Sequence, residues 1–142
     1  MCNVYYLGSD SDLPILGSVD SKCFHVKELN PHEMVVRKNL PFKYIRYLGS
    51  HQGCGCGFRN DGNAPPTSEL EIAATQADHE SLVAYLLSLP VKQRPMQIFS
   101  CWAGGQELPP KYFSAYRIAD LAQPTFSFDI GPELLTLEHE HF

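Results

Sequence analysis

Cys54 and Cys56 stand one glycine apart, with glycine on both sides of each, in the run Ser50-His51-Gln52-Gly53-Cys54-Gly55-Cys56-Gly57-Phe58. A thiolate binds soft metal ions, exchanges with disulfides and attacks electrophiles. The interleaved glycines let other groups approach the backbone closely. His51 adds an imidazole just upstream, and Cys101-Trp102 ends a later apolar run, Met96-Gln97-Ile98-Phe99-Ser100. Together His51, Cys54, Cys56 and Cys101 have the residue types of a tetrahedral zinc site. Their spacing departs from the usual zinc pattern of two ligand pairs, each pair two to four residues apart. The same thiols suit redox work, because a Cys-Gly-Cys disulfide closes a small strained ring. Nucleophilic catalysis by one cysteine with His51 as base would need a third group to orient the ring, with Glu107 and Asp61 as candidates. Arg59 and Trp102 are read as lining the cleft. Against all of these stands a non-catalytic reading. In it the glycines make a compact turn, the cysteines fill space as small apolar groups, and the 53–57 amides form a nest for an anion.

These residues can act together only if distant pieces of chain deliver them to one place. The stretch 3–7 reads as a strand, and 23–29 as a second. Asn30-Pro31 resembles a helix N-cap followed by proline at the first helical position, opening a short helix over 32–39. An aromatic and β-branched strand follows at 43–49. The segment 50–67 has no helical period; a small hairpin turning at Asn60-Asp61-Gly62 is an alternative use of its residues. Ser68 and Glu71 fit a capping box that starts a helix running toward Leu89, with a bend or restart near Asp78. The apolar run 96–102 reads as a buried strand. One helical turn is expected at 118–122. Two strands, 125–130 and 134–139, would be joined as a hairpin across Gly131-Pro132-Glu133. The whole is expected to be one α+β domain over residues 1–142. Its mixed sheet carries helices mainly on one face, with a β-α-β unit and a C-terminal β-hairpin. If strands 43–49 and 96–102 run parallel, their C-terminal ends open on one sheet edge, where α/β ligand sites gather. His51, Cys54 and Cys56 would then meet Cys101 and Trp102.

Composition narrows the function classes. The 142-residue chain carries 11 Lys and Arg against 16 Asp and Glu, a net charge of −5, which argues against a nucleic-acid partner. No apolar run nears the roughly 20 residues that span a bilayer, and the N-terminus lacks the basic and apolar regions of a signal peptide, so a cytoplasmic location is expected. The cysteines are five (Cys2, Cys23, Cys54, Cys56 and Cys101), and an odd number in such a chain argues against a disulfide framework. Cys2 would become an N-terminal nucleophile only on removal of Met1. His139 and His141 would share a strand face but sit at an exposed end. A small ligand, a protein partner or a second copy of the chain stays open as the partner, and zinc as the cofactor.

The early Met1-Cys2, the SHxGCGCGF run at 50–58 and the later Cys101-Trp102 resemble a group of small bacterial proteins with no assigned function. That resemblance spans most of the chain. It implies no activity, cofactor or catalytic residue. The functional expectation is a thiol cluster that binds a metal ion or cycles redox state, and the rival is a binding module in which the glycine loop is architectural.

Overall fold

The computed structural model describes residues 2–17, 22–59, 69–90, 94–129 and 131–138. The residues form a mixed six-stranded sheet with one long helix and three 3-10 helices. In chain order the strands are β1 (Asn3–Ser9), β2 (His25–Lys27), β3 (Tyr44–Gly49), β4 (Met96–Trp102), β5 (Tyr112–Arg117) and β6 (Glu133–Glu138), with the helix α1 (Glu69–Leu87) between β3 and β4. Across the sheet the order is β2-β3-β1-β4-β6-β5. This is the α+β class expected from the sequence.

β1 is the centre of the sheet, and every one of its residues is buried. It pairs antiparallel with both β3 and β4. Those two strands therefore run in the same direction, as the expected β-α-β unit requires, with β1 inserted between them. The insertion has a consequence for the site. The N-terminal end of β1 lies at the same sheet edge as the C-terminal ends of β3 and β4.

Side-chain alternation divides the core into two layers. Tyr5, Leu7, Leu48, Ile98 and Leu135 face α1, which buries Leu82, Val83, Tyr85 and Leu86 against them. On the opposite face Val4, Tyr6, Ile45, Tyr47, Phe99 and Cys101 pack under Val36, Leu40 and Phe42. Val36 belongs to the 3-10 helix Pro31–Lys38, which opens at Asn30-Pro31 as expected. There the Asn30 amide donates to Glu33 Oε1 (3.0 Å). The consecutive β-branched Val35 and Val36 disfavour regular helix, and the segment adopts the tighter 3-10 form.

Two expectations change at the C-terminal end. β6 forms where a strand was expected, but its outer partner is β5, and the pairing is parallel. The residues 125–129 form no strand. Phe126 and Phe128 turn inward instead, packing edge-on against each other and against His79. Burying these rings outweighs the strand preference of the segment. α1 runs unbroken past Asp78. The Ser68 end of its expected capping box and the turn at 60–62 lie outside the described residues. None of the described helices is long and apolar enough to cross a membrane.

Candidate functional site

The glycine-cysteine run leaves the end of β3 as a knot tied by Ser50, whose side chain is fully buried. The Ser50 hydroxyl donates to the Cys54 carbonyl (2.6 Å) and accepts from the amides of Gln52 (3.2 Å) and Gly57 (2.9 Å). Backbone bonds from Ser50 N to Cys54 O (2.8 Å) and from Gly53 N to Ser50 O (3.0 Å) close the turn. Gly53 has φ +86°, a left-handed conformation that favours glycine. The chain then enters a single 3-10 turn, Gly55–Phe58, and Phe58 plunges into the α1-side core.

This turn lies directly on β1. A Cβ at Gly55 would collide with the Tyr5 ring and would stand 2.6 Å from the Asn3 carbonyl oxygen. Close backbone approach brings Cys54 and Cys56 down beside the N-terminal end of β1, where Cys2 sits. The Cys2 carbonyl is held in turn by the Ala103 amide at the end of β4 (2.8 Å). The Sγ atoms of Cys2, Cys54 and Cys56 all lie within 4.8 Å of one another. Cys2 is exposed, whereas Cys54 and Cys56 are half-buried, and all three are free thiols. The Cys56 amide donates to Cys54 Sγ at 3.5 Å, a contact that orients this sulfur within the turn. Gly55→Ala should therefore cost about 1–3 kcal/mol through overpacking and loosen the thiol cluster. Chemical denaturation together with thiol-alkylation rates would check both effects.

Of the four ligands read from the sequence, the structure gathers Cys54 and Cys56 and joins them with Cys2. Cys101 is elsewhere. It pairs with Val4 on β1 and faces the second core layer, only 2% exposed. Burial pushes its thiol up to about 12, out of the thiolate range. Cys101 lies inside the strand pairing, opposite Val4 and packed in apolar side chains, whereas Cys2 precedes β1 and Cys54 and Cys56 follow β3. His51 is committed to α1. Its Nδ1 lies 2.5 Å from Asp78 Oδ2 and its Nε2 lies 2.9 Å from Glu71 Oε2. The His51 amide also donates to both Asp78 oxygens at 3.1 Å. Burial pulls the imidazole pKa down, but the hydrogen bonds and charges of Asp78 and Glu71 outweigh that pull and raise it above the usual value. His51 is thus a cationic clasp between loop and helix. Trp102 pairs with Asn3 at the end of β4 and is 39% exposed. Arg59 ends the 3-10 turn, its amide donating to the Cys56 carbonyl (3.2 Å). Its charge reaches the Tyr5 hydroxyl.

A second group lies deeper on the same face. Tyr5, Ser100 and Glu133 are direct neighbours across β1, β4 and β6. Tyr5 OH, Ser100 Oγ and Glu133 Oε1 are buried without a hydrogen-bond partner among the described residues. Ser114 Oγ donates to the other Glu133 oxygen (3.0 Å). Burial, reinforced by the facing Asp129 carboxylate, raises Glu133 to about 7.

The sequence carried a signal for Cys2, a thiol directly ahead of a strongly apolar strand. What it lacked was the direction of that strand in the sheet. No protein-family model, curated protein or solved structure matches the chain.

Proposed function

We propose that Cys2, Cys54 and Cys56 bind one thiophilic metal ion, of the zinc or copper(I) class. The observation that carries this reading is the mutual approach of three sulfurs within 4.8 Å. Four ligands at a Zn–S distance of about 2.3 Å would set sulfurs about 3.8 Å apart, inside that limit. Soft thiolate sets select this class of ion over magnesium or calcium. Two half-buried sulfurs anchored by the Ser50 knot form a preorganised pair, and the exposed Cys2 completes the set from another strand. On this reading the glycines serve the metal site by letting the turn settle on β1. The sequence-level alternative of an architectural glycine loop shares those contacts but gives no role to the gathering of three thiols.

Reconstitution of reduced protein with zinc, followed by elemental analysis and competition with a chelator, tests the proposal. One ion per chain is expected. Cys2→Ser, Cys54→Ser and Cys56→Ser should each weaken binding by about a hundredfold, an effect at the upper end of that seen for supporting metal-site residues. Cys101→Ser should bind as the parent does, since its sulfur is buried among apolar side chains and is not one of the three that gather. Absence of stoichiometric metal, or a reversible Cys54–Cys56 disulfide in its place, would overturn the reading.

A further inference from the structure

We propose that the chain forms a two-fold dimer by pairing the open edge of β5 antiparallel with the same strand of a second copy. This inference goes beyond the metal reading and does not rest on it. β5 stands last in the sheet order, with β6 on one side and no strand on the other among the described residues. The opposite edge of the sheet is closed. There β2 has only three residues, and Leu16 bridges Val26 through two backbone bonds (3.0 and 2.8 Å). β5 has no such cover: Phe113 is 71% exposed, and Tyr112, Ala115 and Arg117 are exposed as well. Its register against β6 runs without a bulge, and the strand holds neither proline nor lysine, the usual devices that blunt an edge.

The backbone fixes which groups point outward. In a strand of a parallel pair, alternate residues turn both amide and carbonyl toward the neighbour. The Tyr112 amide donates to the Pro132 carbonyl on the β6 side (3.2 Å). Tyr112, Ser114 and Tyr116 therefore bond toward β6, and Phe113, Ala115 and Arg117 present their backbone groups to the open edge. The Arg117 amide is already taken by Asp120 Oδ2 (3.2 Å). That leaves the amides and carbonyls of Phe113 and Ala115. One register uses all of them: Phe113 opposite the partner's Ala115, with the two-fold axis at Ser114. Centring the axis on Ala115 sets Phe113 against the partner's Arg117, and centring it on Phe113 sets Ala115 against the partner's Lys111. The amides of both those residues are engaged within their own chain. The side chains suit the Ser114-centred register. Phe113 faces the small Ala115 of the partner subunit, and the two Phe113 rings become diagonal neighbours within aromatic reach. Tyr112 stands opposite the partner's Tyr116. At the ends Lys111 approaches the partner's Arg117, which has Glu138 beside it on β6. Because the β2 edge is shut, pairing closes at two subunits instead of growing into a filament.

Sedimentation equilibrium of reduced protein, with and without zinc, tests the pairing, and amide exchange by NMR reads it locally. A monomer–dimer equilibrium is expected in both conditions, with the Phe113 and Ala115 amides exchanging more slowly as concentration rises. Ala115→Pro removes an outward amide that no bond within the chain uses, so the fold is kept. Its dissociation constant should rise about thirtyfold, for two lost hydrogen bonds per dimer. Phe113→Lys, at an exposed position that a folded chain tolerates, should raise it about tenfold by placing charge on the edge. Cys54→Ser with Cys56→Ser should dimerise as the parent does, which separates this edge from the thiol site. A monomer at every concentration up to about 1 mM, a dimer indifferent to both β5 variants, or one lost with the thiols would overturn the assignment.

Discussion

Replacing Asp78 by alanine should cost about 3–5 kcal/mol of folding stability, because it leaves the His51 cation and amide without the partner they are buried against. Asp78 is 2% exposed, and it accepts the His51 backbone N–H as well as the ring N–H. It is thus the main tie between the thiol loop and α1. The second tie, to Glu71, is more exposed and worth less. The clasp has a definite pH signature. The folded-state pKa of His51 is raised, so its stabilisation is complete below the unfolded value of 6.5 and is lost as pH rises through the folded value. Asp78→Asn keeps an acceptor for the amide but removes the charge. Urea unfolding of both proteins between about pH 6 and pH 9 isolates the effect. The advantage of the parent over Asp78→Asn should shrink as pH rises across that window. An advantage that is constant or grows would rule out a cationic His51.

Glu133→Gln should make the protein more stable at pH 8, by up to about 3 kcal/mol, and should leave it nearly unchanged at pH 4. Here the sign is the reverse of the ordinary carboxylate. Burial, with Asp129 opposite, raises Glu133 from 4.5 to about 7, so the folded state holds the proton more tightly than the unfolded chain. Stability at this position is full below pH 4.5, falls as pH rises toward 7, and is flat above. Glutamine has the shape of the protonated acid, can still accept from Ser114, and never ionises. Thermal or urea unfolding of both proteins at the two pH values decides the matter. A variant less stable than the parent at pH 8 would show that the ionised carboxylate is satisfied in the fold. Tyr5 OH and Ser100 Oγ, buried on the adjoining strands without partners among the described residues, would then be the donors beside Ser114.

The strands read at 3–7, 43–49 and 96–102, the long helix and the glycine-cysteine turn were legible in the chain, because each is written in short-range patterns of apolar periodicity and turn chemistry; β1 runs on through Gly8 and Ser9, which had read as its end. The sheet directions inferred for β3 and β4 also hold. Three things were not local. β1 enters between those strands in the opposite direction, and its N-terminal end therefore brings Cys2 to the thiols. Cys101 lies inside the strand pairing, packed in apolar side chains, whereas Cys2 precedes β1 and Cys54 and Cys56 follow β3. His51 is drawn away by Asp78 and Glu71 on a helix more than a turn apart from one another along its axis, a pairing that only packing selects. The residues 125–129, strand-like by composition, instead bury their aromatic rings against His79.

By itself the sequence determined which residues have the chemistry, thiols set among glycines, and which segments become strand or helix. Tertiary structure alone decided which thiols meet. Sulfur atoms on different strands are brought together by strand order and direction, which depend on the burial of whole faces rather than on any local run of residues.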